Sequence, residues 1–309
     1  MKIDALNIFP VKSLAGVSVS KVEVTPFGLR NDRQWMLVDE KGIFLSQRKL
    51  PQMTMISTRI EKDVVILSHK GMDDISLSVD SNKTQEIQIW KDRCTAASAT
   101  HDINDWLNQA LQTQGASCVQ FIPEHIRKPG QIERFGKTAR HFTDGAPFLL
   151  SNTASLHALN SHLKKSGYDP VDMRHFRSNI VVSGIDAFSE HRFNSMTVLY
   201  GEGLHDDLHS GSNKSSNGET TNNSSSTLGG EKSLSFRLVD HCQRCSIITV
   251  DPDSGLYRPK ANPIMQLAEI NSMPGKPKAP AFGVNLSLNT SLDSTSLATL
   301  SVGQRVELL

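Results

Sequence analysis

The segment HCQRCSIITVDPDSG, from His241 to Gly255, contains the residues of this sequence with the clearest chemical potential. Cys242 and Cys245 are separated by two residues and make up half of the chain's four cysteines. A pair with this spacing can bind zinc, exchange electrons as a dithiol, form a disulfide, or provide a single thiolate to a metal. The function of the protein depends on which of these chemistries applies.

A structural zinc or iron–sulfur site matches this segment poorly. Such sites use about four protein ligands, whereas CQRC supplies two, Cys94 and Cys118 are isolated, and His241 cannot complete a tetrahedron alone. A thioredoxin-like dithiol opens a helix, but this pair leads into SIITV, a β-branched run that predicts a strand. A structural disulfide is disfavoured because the cysteine-poor composition indicates a reducing compartment.

Two interpretations of the cysteine pair remain open on the residues alone. In the first, both cysteines are small buried residues at the start of a strand. In the second, one cysteine is a thiolate ligand of a metal whose other ligands come from a bound cofactor. Arg244 lies between the two cysteines, and a neighbouring cation favours the anionic form of a thiol. Soft thiolates suit transition metals.

The composition is that of an ordinary globular protein, and it narrows the choice of partners. The chain has 309 residues, 38% hydrophobic and 21% charged, and a net charge of +1. This length allows two modest domains or one large β-rich domain. The absence of a basic stripe argues against nucleic acid as a partner. No apolar run reaches the about 18 residues of a membrane helix, and no secretory signal is present, so we expect a cytoplasmic protein without membrane contact.

Short strands dominate the predicted elements that must position these residues. The first half contains KIDALNIF, VSVSKVEVT, RQWMLVDEKGIFLSQR (a predicted hairpin), VVILSH, ISLSV and EIQIW, and the second half contains NIVVSG, SMTVLY, LSFRLV, CSIITV and QRVELL. Two helices are predicted, HDINDWLNQALQ with Asp102 or Asn104 as its cap and SNTASLHALNSHLKKSG opened by Ser151 or Asn152. Sequential strands with few helices between them predict antiparallel barrels or sandwiches.

A low-complexity segment separates SMTVLY from LSFRLV. It is rich in Gly, Ser, Asn and Thr without apolar periodicity, which predicts a disordered insertion over residues 202–232. His205, Asp206, Asp207 and His209 in this segment could chelate a metal. A flexible loop makes a poor preorganised site, so we do not assign a metal to them.

Six sequence motifs occur in a fixed order over nearly the whole chain: PVKSLAG, GLRNDRQWMLVD, DGAPFLLSNTASLHALN, FRSNIVVSG, CQRCSIITVDPDSG and FGVNL. Together they resemble the MOSC family, in particular the bacterial YcbX-type proteins and the mitochondrial amidoxime-reducing component. The resemblance implies a MOSC N-terminal β-barrel domain over residues 1–122 and a MOSC domain over residues 123–309. The expected fold class is therefore mainly β with α (α+β), with two antiparallel β-barrel-like domains and a few flanking helices.

The resemblance also implies the molybdenum cofactor, Mo-molybdopterin, and a role for each matching residue. Cys245 would be the metal ligand and a catalytic residue, while Asp144 would be either a proton-handling carboxylate near the metal or a simple turn residue. The cofactor-binding residues implied by the match are Lys12, Ser13, Arg33, Ser151, Arg177, Asn179 and Arg244. Elementary chemistry agrees with this set, because the cofactor carries a phosphate that calls for cations and fork-shaped donors.

The activity implied by the family is reduction of N-hydroxylated compounds, such as N-hydroxylated bases in detoxification, by oxygen transfer to molybdenum. No cysteine cluster of a ferredoxin-like domain follows, so we expect a separate electron-donor protein, a flavoprotein reductase acting alone or through a ferredoxin. One alternative is a non-redox carrier of the molybdenum cofactor or of sulfur on Cys245. A noncatalytic β-barrel binding module is a second alternative.

Overall fold

The computed structural model describes residues 1–125, 127, 140–200, 232–289 and 298–309. The described residues form nineteen β-strands and three α-helices, so the predicted mainly β fold class is confirmed. The predicted insertion at 202–232 lies, apart from its last residue, outside the described residues, as do the four candidate chelating residues within it. In the part of the chain that the structure describes, no helix has the length and apolar character that a membrane crossing requires.

The largest sheet combines strands from both ends of the chain. Its nine strands are β1 (Lys2–Ile8), β2 (Val17–Val19), β12 (Phe148–Asn152), β13 (Ile180–Ser183), β14 (Ser195–Tyr200), β15 (Lys232–Gln243), β16 (Ser272–Met273), β17 (Lys276–Leu288) and β19 (Val306–Leu308). The order is β19-β14-β15-β17-β12-β13-β1-β2, and β16 pairs with β17. All pairs are antiparallel except β12 with β13. The pairing of β1 with β13 brings the first motif next to the fourth.

Three smaller sheets complete the β structure. They are a four-stranded sheet in the order β5-β11-β10-β9 and two three-stranded sheets, β18-β3-β4 and β6-β7-β8. Their strands are β3 (Lys21–Thr25), β4 (Gly28–Leu29), β5 (Trp35–Val38), β6 (Ser57–Glu61), β7 (Val64–Ser68), β8 (Ile75–Ser76), β9 (Val79–Ile89), β10 (Asp92–Ala99), β11 (Ser117–Phe121) and β18 (Ala298–Ser301). Whether the chain divides into domains at residue 122 stays a prediction.

The three helices are short and pack on the sheets through apolar stripes. They are α1 (His101–Ala110), α2 (Thr153–Lys165) and α3 (Ile264–Ile270). The cap predicted for α1 was wrong, because the helix begins after Thr100. The cap predicted for α2 is confirmed at Asn152, whose side chain accepts a hydrogen bond from the Ala154 amide. Such a bond satisfies one of the free amides at a helix start.

Two strand predictions failed for tertiary reasons. CSIITV is not a strand: β15 ends at Gln243, and Ser246–Thr249 form a 3-10 turn. The β-branched side chains Ile248 and Thr249 are instead buried in this turn, because packing overrides intrinsic β-propensity. In the predicted hairpin only β5 is a strand, since the returning segment pairs with it through a single bridge from Phe44 to Val38.

Candidate functional site

Eight of the nine site residues predicted from sequence line one cavity of about 620 Å³, here called the central cavity. They are Lys12, Ser13, Arg33, Asp144, Arg177, Asn179, Arg244 and Cys245. Ser151 is the exception. It is fully buried on β12, its hydroxyl lies 2.6 Å from the Ser178 hydroxyl, and it does not line the cavity.

The first two motifs meet because their backbones are hydrogen-bonded to each other. The Lys12 amide donates to the Trp35 carbonyl at 2.8 Å, and the Arg33 amide donates to the Phe9 carbonyl at 2.8 Å. A further bond joins the Trp35 amide to the Pro10 carbonyl at 3.0 Å. These bonds hold the turn after β1 against the segment before β5, so the side chains of Lys12 and Arg33 reach the cavity from two adjacent segments of the chain.

Three of the predicted site residues have a left-handed backbone. The φ angles are 69° for Ser13, 47° for Arg33 and 55° for Arg177. This region is unfavourable for residues other than glycine, and such conformations concentrate at functional sites. The turns that contain these residues direct their side chains toward the cavity at a conformational cost that the surrounding hydrogen bonds offset.

Arg33 is the centre of a buried polar network. Its guanidinium donates to the Asp32 carboxylate at 2.6 Å, to the Asn179 side-chain oxygen at 2.9 Å and to the Arg177 carbonyl at 3.0 Å. Asp32 is fully buried and also accepts from the Phe9 amide at 2.8 Å. Arg33 is therefore electrically compensated and held in one orientation.

Arg177, in contrast, is only partly satisfied by the described residues. One of its terminal nitrogens donates to the Leu14 carbonyl at 2.7 Å, while Nη2 is buried without a hydrogen-bond partner among the described residues. The guanidinium carbon lies 4.3 Å from the centre of the Phe9 ring, which also contacts Arg33 at 4.4 Å. Burial, and then the nearby Arg33 cation, lowers the pKa of Arg177 to about 9, so the group stays charged at neutral pH.

Lys12 and Asp144 form an ion pair that also lines the cavity. Lys12 is buried, and its ammonium donates to Asp144 at 2.5 Å and to the Phe142 carbonyl at 2.8 Å. Burial lowers the pKa of Lys12 to about 8 despite the opposing effect of Asp144. Burial also disfavours the Asp144 anion, but Lys12 and a hydrogen bond from Trp90 outweigh this and hold the pKa of that carboxyl well below its usual range.

Cys245 has a free thiol that is exposed at the cavity surface. The guanidinium of Arg48 donates to its sulfur at 3.3 Å, and Arg244 makes the equivalent contact with Cys242 at 3.0 Å. Cys242 and Cys245 are both free thiols in the structure and are not joined by a disulfide.

Sequence reasoning missed three residues of the site. Arg48 contacts the Cys245 sulfur, Trp90 donates to Asp144 at 2.9 Å, and Asp32 neutralises Arg33. Asp32 lies inside the RNDR motif and could have been found there. Arg48 and Trp90 carry no local signal, because a lone arginine or tryptophan between strands is indistinguishable from an ordinary surface or core residue.

The cavity suits an anionic ligand that would itself supply most of the ligands of a bound metal. Six cationic side chains line the cavity, namely Lys12, Arg33, Arg48, Lys91, Arg177 and Arg244, together with the carboxylate of Asp144. The buried Asp32 pairs with Arg33 from behind the lining. The unpartnered donor of Arg177 and the Nε of Arg244, also buried without a partner among the described residues, suit phosphate oxygens. Within the described ranges, no group of three or more His, Cys, Asp or Glu side chains is arranged to hold a metal. The thiols that line the cavity are those of Cys242 and Cys245.

The mainly β fold and the cation-lined cavity can be compared with those of known protein families. The MOSC N-terminal beta barrel domain matches residues 1–114, and the MOSC domain matches residues 137–205. The chain therefore belongs to the MOSC family, as its motifs predicted.

Its relatives include the mitochondrial amidoxime-reducing component 1 of Mus musculus and of Homo sapiens. They are 28% and 29% identical to this chain over 261 and 270 residues, which is 81% and 82% of this chain and 66% and 68% of theirs. The molybdenum cofactor sulfurase of Solanum lycopersicum is 24% identical over 328 residues, covering 98% of this chain and 35% of the sulfurase. The chain spans about two thirds of the first two relatives and about a third of the last.

The affinity of the central cavity for a phosphate-bearing anion should fall as pH rises above about 8, where Lys12 loses its charge. Calorimetric titration with pyrophosphate on both sides of this pH measures the effect. Lys12→Met should bind pyrophosphate more weakly, and its affinity should not fall above this pH. If the affinity of Lys12→Met still falls there, a group other than Lys12 causes the pH dependence.

The same residue links stability to pH in the ligand-free protein. The unfolded chain keeps the Lys12 proton up to about pH 10.5, whereas the folded protein loses it at about 8. Because the unfolded state then binds more protons, Lys12 should make the free energy of unfolding rise with pH between these two values.

Proposed function

We propose that this protein is a molybdenum-cofactor-dependent reductase of N-hydroxylated compounds. The observation that carries the proposal is the position of Cys245, an exposed thiol at the surface of a cavity whose cations exceed its carboxylates. A thiol buried in an apolar interior would have excluded it. The names of the amidoxime-reducing relatives support the same chemistry.

The described residues fit distinct parts of such a cofactor. Arg177 and Arg244, with their unpartnered buried donors, would hold the phosphate. Arg33 and Asn179, fixed by their mutual hydrogen bond, would contact the pterin ring. Cys245 would ligate molybdenum through its sulfur, which lies 3.3 Å from the guanidinium of Arg48.

When bound, the cofactor would supply the two-electron chemistry that cleaves an N–O bond. The chain's own residues would bind the substrate, orient it and control protons. Asp144 stays ionised and therefore holds Lys12 in place rather than acting as an acid. The proton of this pair resides on Lys12 Nζ, whose pKa of about 8 suits proton transfer near neutral pH.

The test is to purify the chain from a host that makes the cofactor, and to measure bound molybdenum together with turnover. We expect close to one molybdenum per chain, and reduction of benzamidoxime or hydroxylaminopurine with an artificial electron donor. A protein without molybdenum would indicate a noncatalytic binding module.

A carrier of the cofactor or of sulfur on Cys245 is the second candidate, because a molybdenum cofactor sulfurase aligns with 98% of this chain. A carrier would bind molybdenum yet reduce neither substrate, so the same experiment separates the two functions. A separate electron-donor protein, such as a flavoprotein reductase with or without a ferredoxin, belongs to the proposal, as does a role in detoxifying N-hydroxylated bases. A cytoplasmic location stays a prediction, and the mammalian relatives are named as mitochondrial proteins.

A further inference from the structure

Trp90 is an aromatic residue at the edge of the central cavity for which the proposed function has no role so far. It lines the cavity and keeps 47% of its surface exposed. Trp35, in contrast, is buried in a hydrophobic core, and Trp106 packs beside the same core. Trp90 therefore presents about half of its surface where a molecule bound in the cavity can reach it.

The backbone at Trp90 strengthens this argument. Ile89 pairs with Asp92, so Trp90 and Lys91 form a two-residue turn between β9 and β10. Trp90 has a φ of 56°, at the first central position of the turn, where hairpins with positive φ favour glycine. A bulky aromatic side chain in this conformation carries a conformational cost, and costs of this kind cluster at functional sites.

The contacts of the Trp90 ring connect it to the reacting end of the cavity. Its Nε1 donates to Asp144 at 2.9 Å, and the guanidinium carbon of Arg48 lies 4.6 Å from the ring centre. The same Arg48 donates to the Cys245 sulfur at 3.3 Å. The Phe44 ring, 5.0 Å away, supports the indole from another side. The indole is thus fixed next to the side chains that surround the proposed metal ligand.

We propose that Trp90 is a specificity-determining residue that selects planar, delocalised substrates by stacking. The proposal rests on the proposed function for the reaction itself. The guanidinium of Arg48 already places a planar N–C–N group on this ring. Amidoximes contain the same planar unit, as do the amidines formed when they are reduced, and planar groups stack favourably on an indole. Hydroxylamine lacks such a plane and gains nothing from the ring.

The activity test compares Trp90→Gly with the wild type on cofactor-loaded protein. Glycine removes the ring and suits the positive φ, so the turn is preserved. We expect KM for benzamidoxime to rise roughly 10- to 100-fold relative to KM for hydroxylamine, with molybdenum content unchanged within about twofold. Trp90→Phe should restore most of the affinity for benzamidoxime. Equal losses for both substrates, or loss of molybdenum, would overturn the proposal.

A second readout does not depend on turnover. Benzamidine, the reduced product, should quench tryptophan fluorescence in the wild type and in Trp106→Phe, because Trp106 is fixed elsewhere by its bond to the Asp73 carbonyl. The quenching should disappear in Trp90→Phe. If benzamidine binds through Trp90 but the wild type reduces neither substrate, the stacking role stands and the proposed function fails. Quenching that persists in Trp90→Phe rejects the stacking role whatever the activity.

Discussion

Replacing Cys245 with alanine should abolish both molybdenum retention and substrate reduction while leaving the fold intact. Cys245 is exposed, and the one described hydrogen bond of its side chain is the contact from Arg48. An exposed substitution of this kind usually changes the free energy of unfolding by less than about 0.5 kcal/mol. Loss of the proposed protein ligand should exceed the roughly 10- to 100-fold effect of losing a partner that only supports a ligand. Elemental analysis, benzamidoxime turnover and thermal unfolding measure the three quantities.

Cys242→Ala is the matched control for this experiment. Cys242 lines the same cavity, and its sulfur likewise contacts an arginine. It lies inside β15, near the end of the strand, whereas Cys245 follows the strand. The variant should keep its molybdenum and most of its activity. If Cys242→Ala lost the metal while Cys245→Ala retained it, the thiolate assignment would be reversed. If neither variant lost the metal, no cysteine of this pair would be the ligand.

Substitution of Arg177 and of Arg33 should separate cofactor binding from stability. We expect the two substitutions to differ in their effect on the free energy of unfolding of the cofactor-free protein. Arg177→Met removes a partly buried cation whose Nη2 has no partner among the described residues, together with the bond from its other terminal nitrogen to the Leu14 carbonyl. An unsatisfied buried polar group costs about 1–3 kcal/mol, so the cofactor-free variant should be as stable as the wild type or more stable. A charged hydrogen bond contributes about 1.5–3 kcal/mol, so cofactor affinity should fall roughly 10- to 150-fold.

Arg33→Met should behave differently, because Arg33 neutralises Asp32. Asp32 is fully buried, and without its partner 2.6 Å away it would become an uncompensated buried charge. Breaking a buried ion pair in this way costs about 3–5 kcal/mol, so this variant should be strongly destabilised even without cofactor. Any loss of activity in Arg33→Met would therefore reflect reduced folding as well as weaker cofactor binding.

Urea unfolding of both cofactor-free variants, followed by measurement of molybdenum content, tests the contrast. The expected pattern is a stable Arg177→Met protein with little molybdenum and an unstable Arg33→Met protein. A destabilised Arg177→Met protein that loads normally would show that this arginine serves the fold rather than the cofactor.

Much of this site could be predicted from sequence because its residues sit in short motifs whose side-chain types suit one ligand. PVKS, RNDR, FRSN and CQRC each supply a cation or a thiol, and alternating apolar residues indicated the strands between them. Residue type and local periodicity are properties of neighbouring positions, so they can be recognised without knowledge of the fold. The mainly β class followed from these properties, whereas the family and eight members of the cavity were implied by the resemblance of the ordered motifs to the MOSC family.

Only the tertiary structure decided which distant side chains meet. Arg48 and Cys245 are 197 positions apart, and Trp90 and Asp144 are 54 apart. Contacts at such separations depend on sheet register and on left-handed turns, which no local pattern encodes. Tertiary packing also buried Ser151 away from the cavity lining and turned SIIT into a 3-10 segment, because packing of the surrounding side chains outweighed local propensity. The amino-acid sequence by itself therefore specified the chemistry available to this protein, and tertiary packing determined which groups surround the Cys245 sulfur.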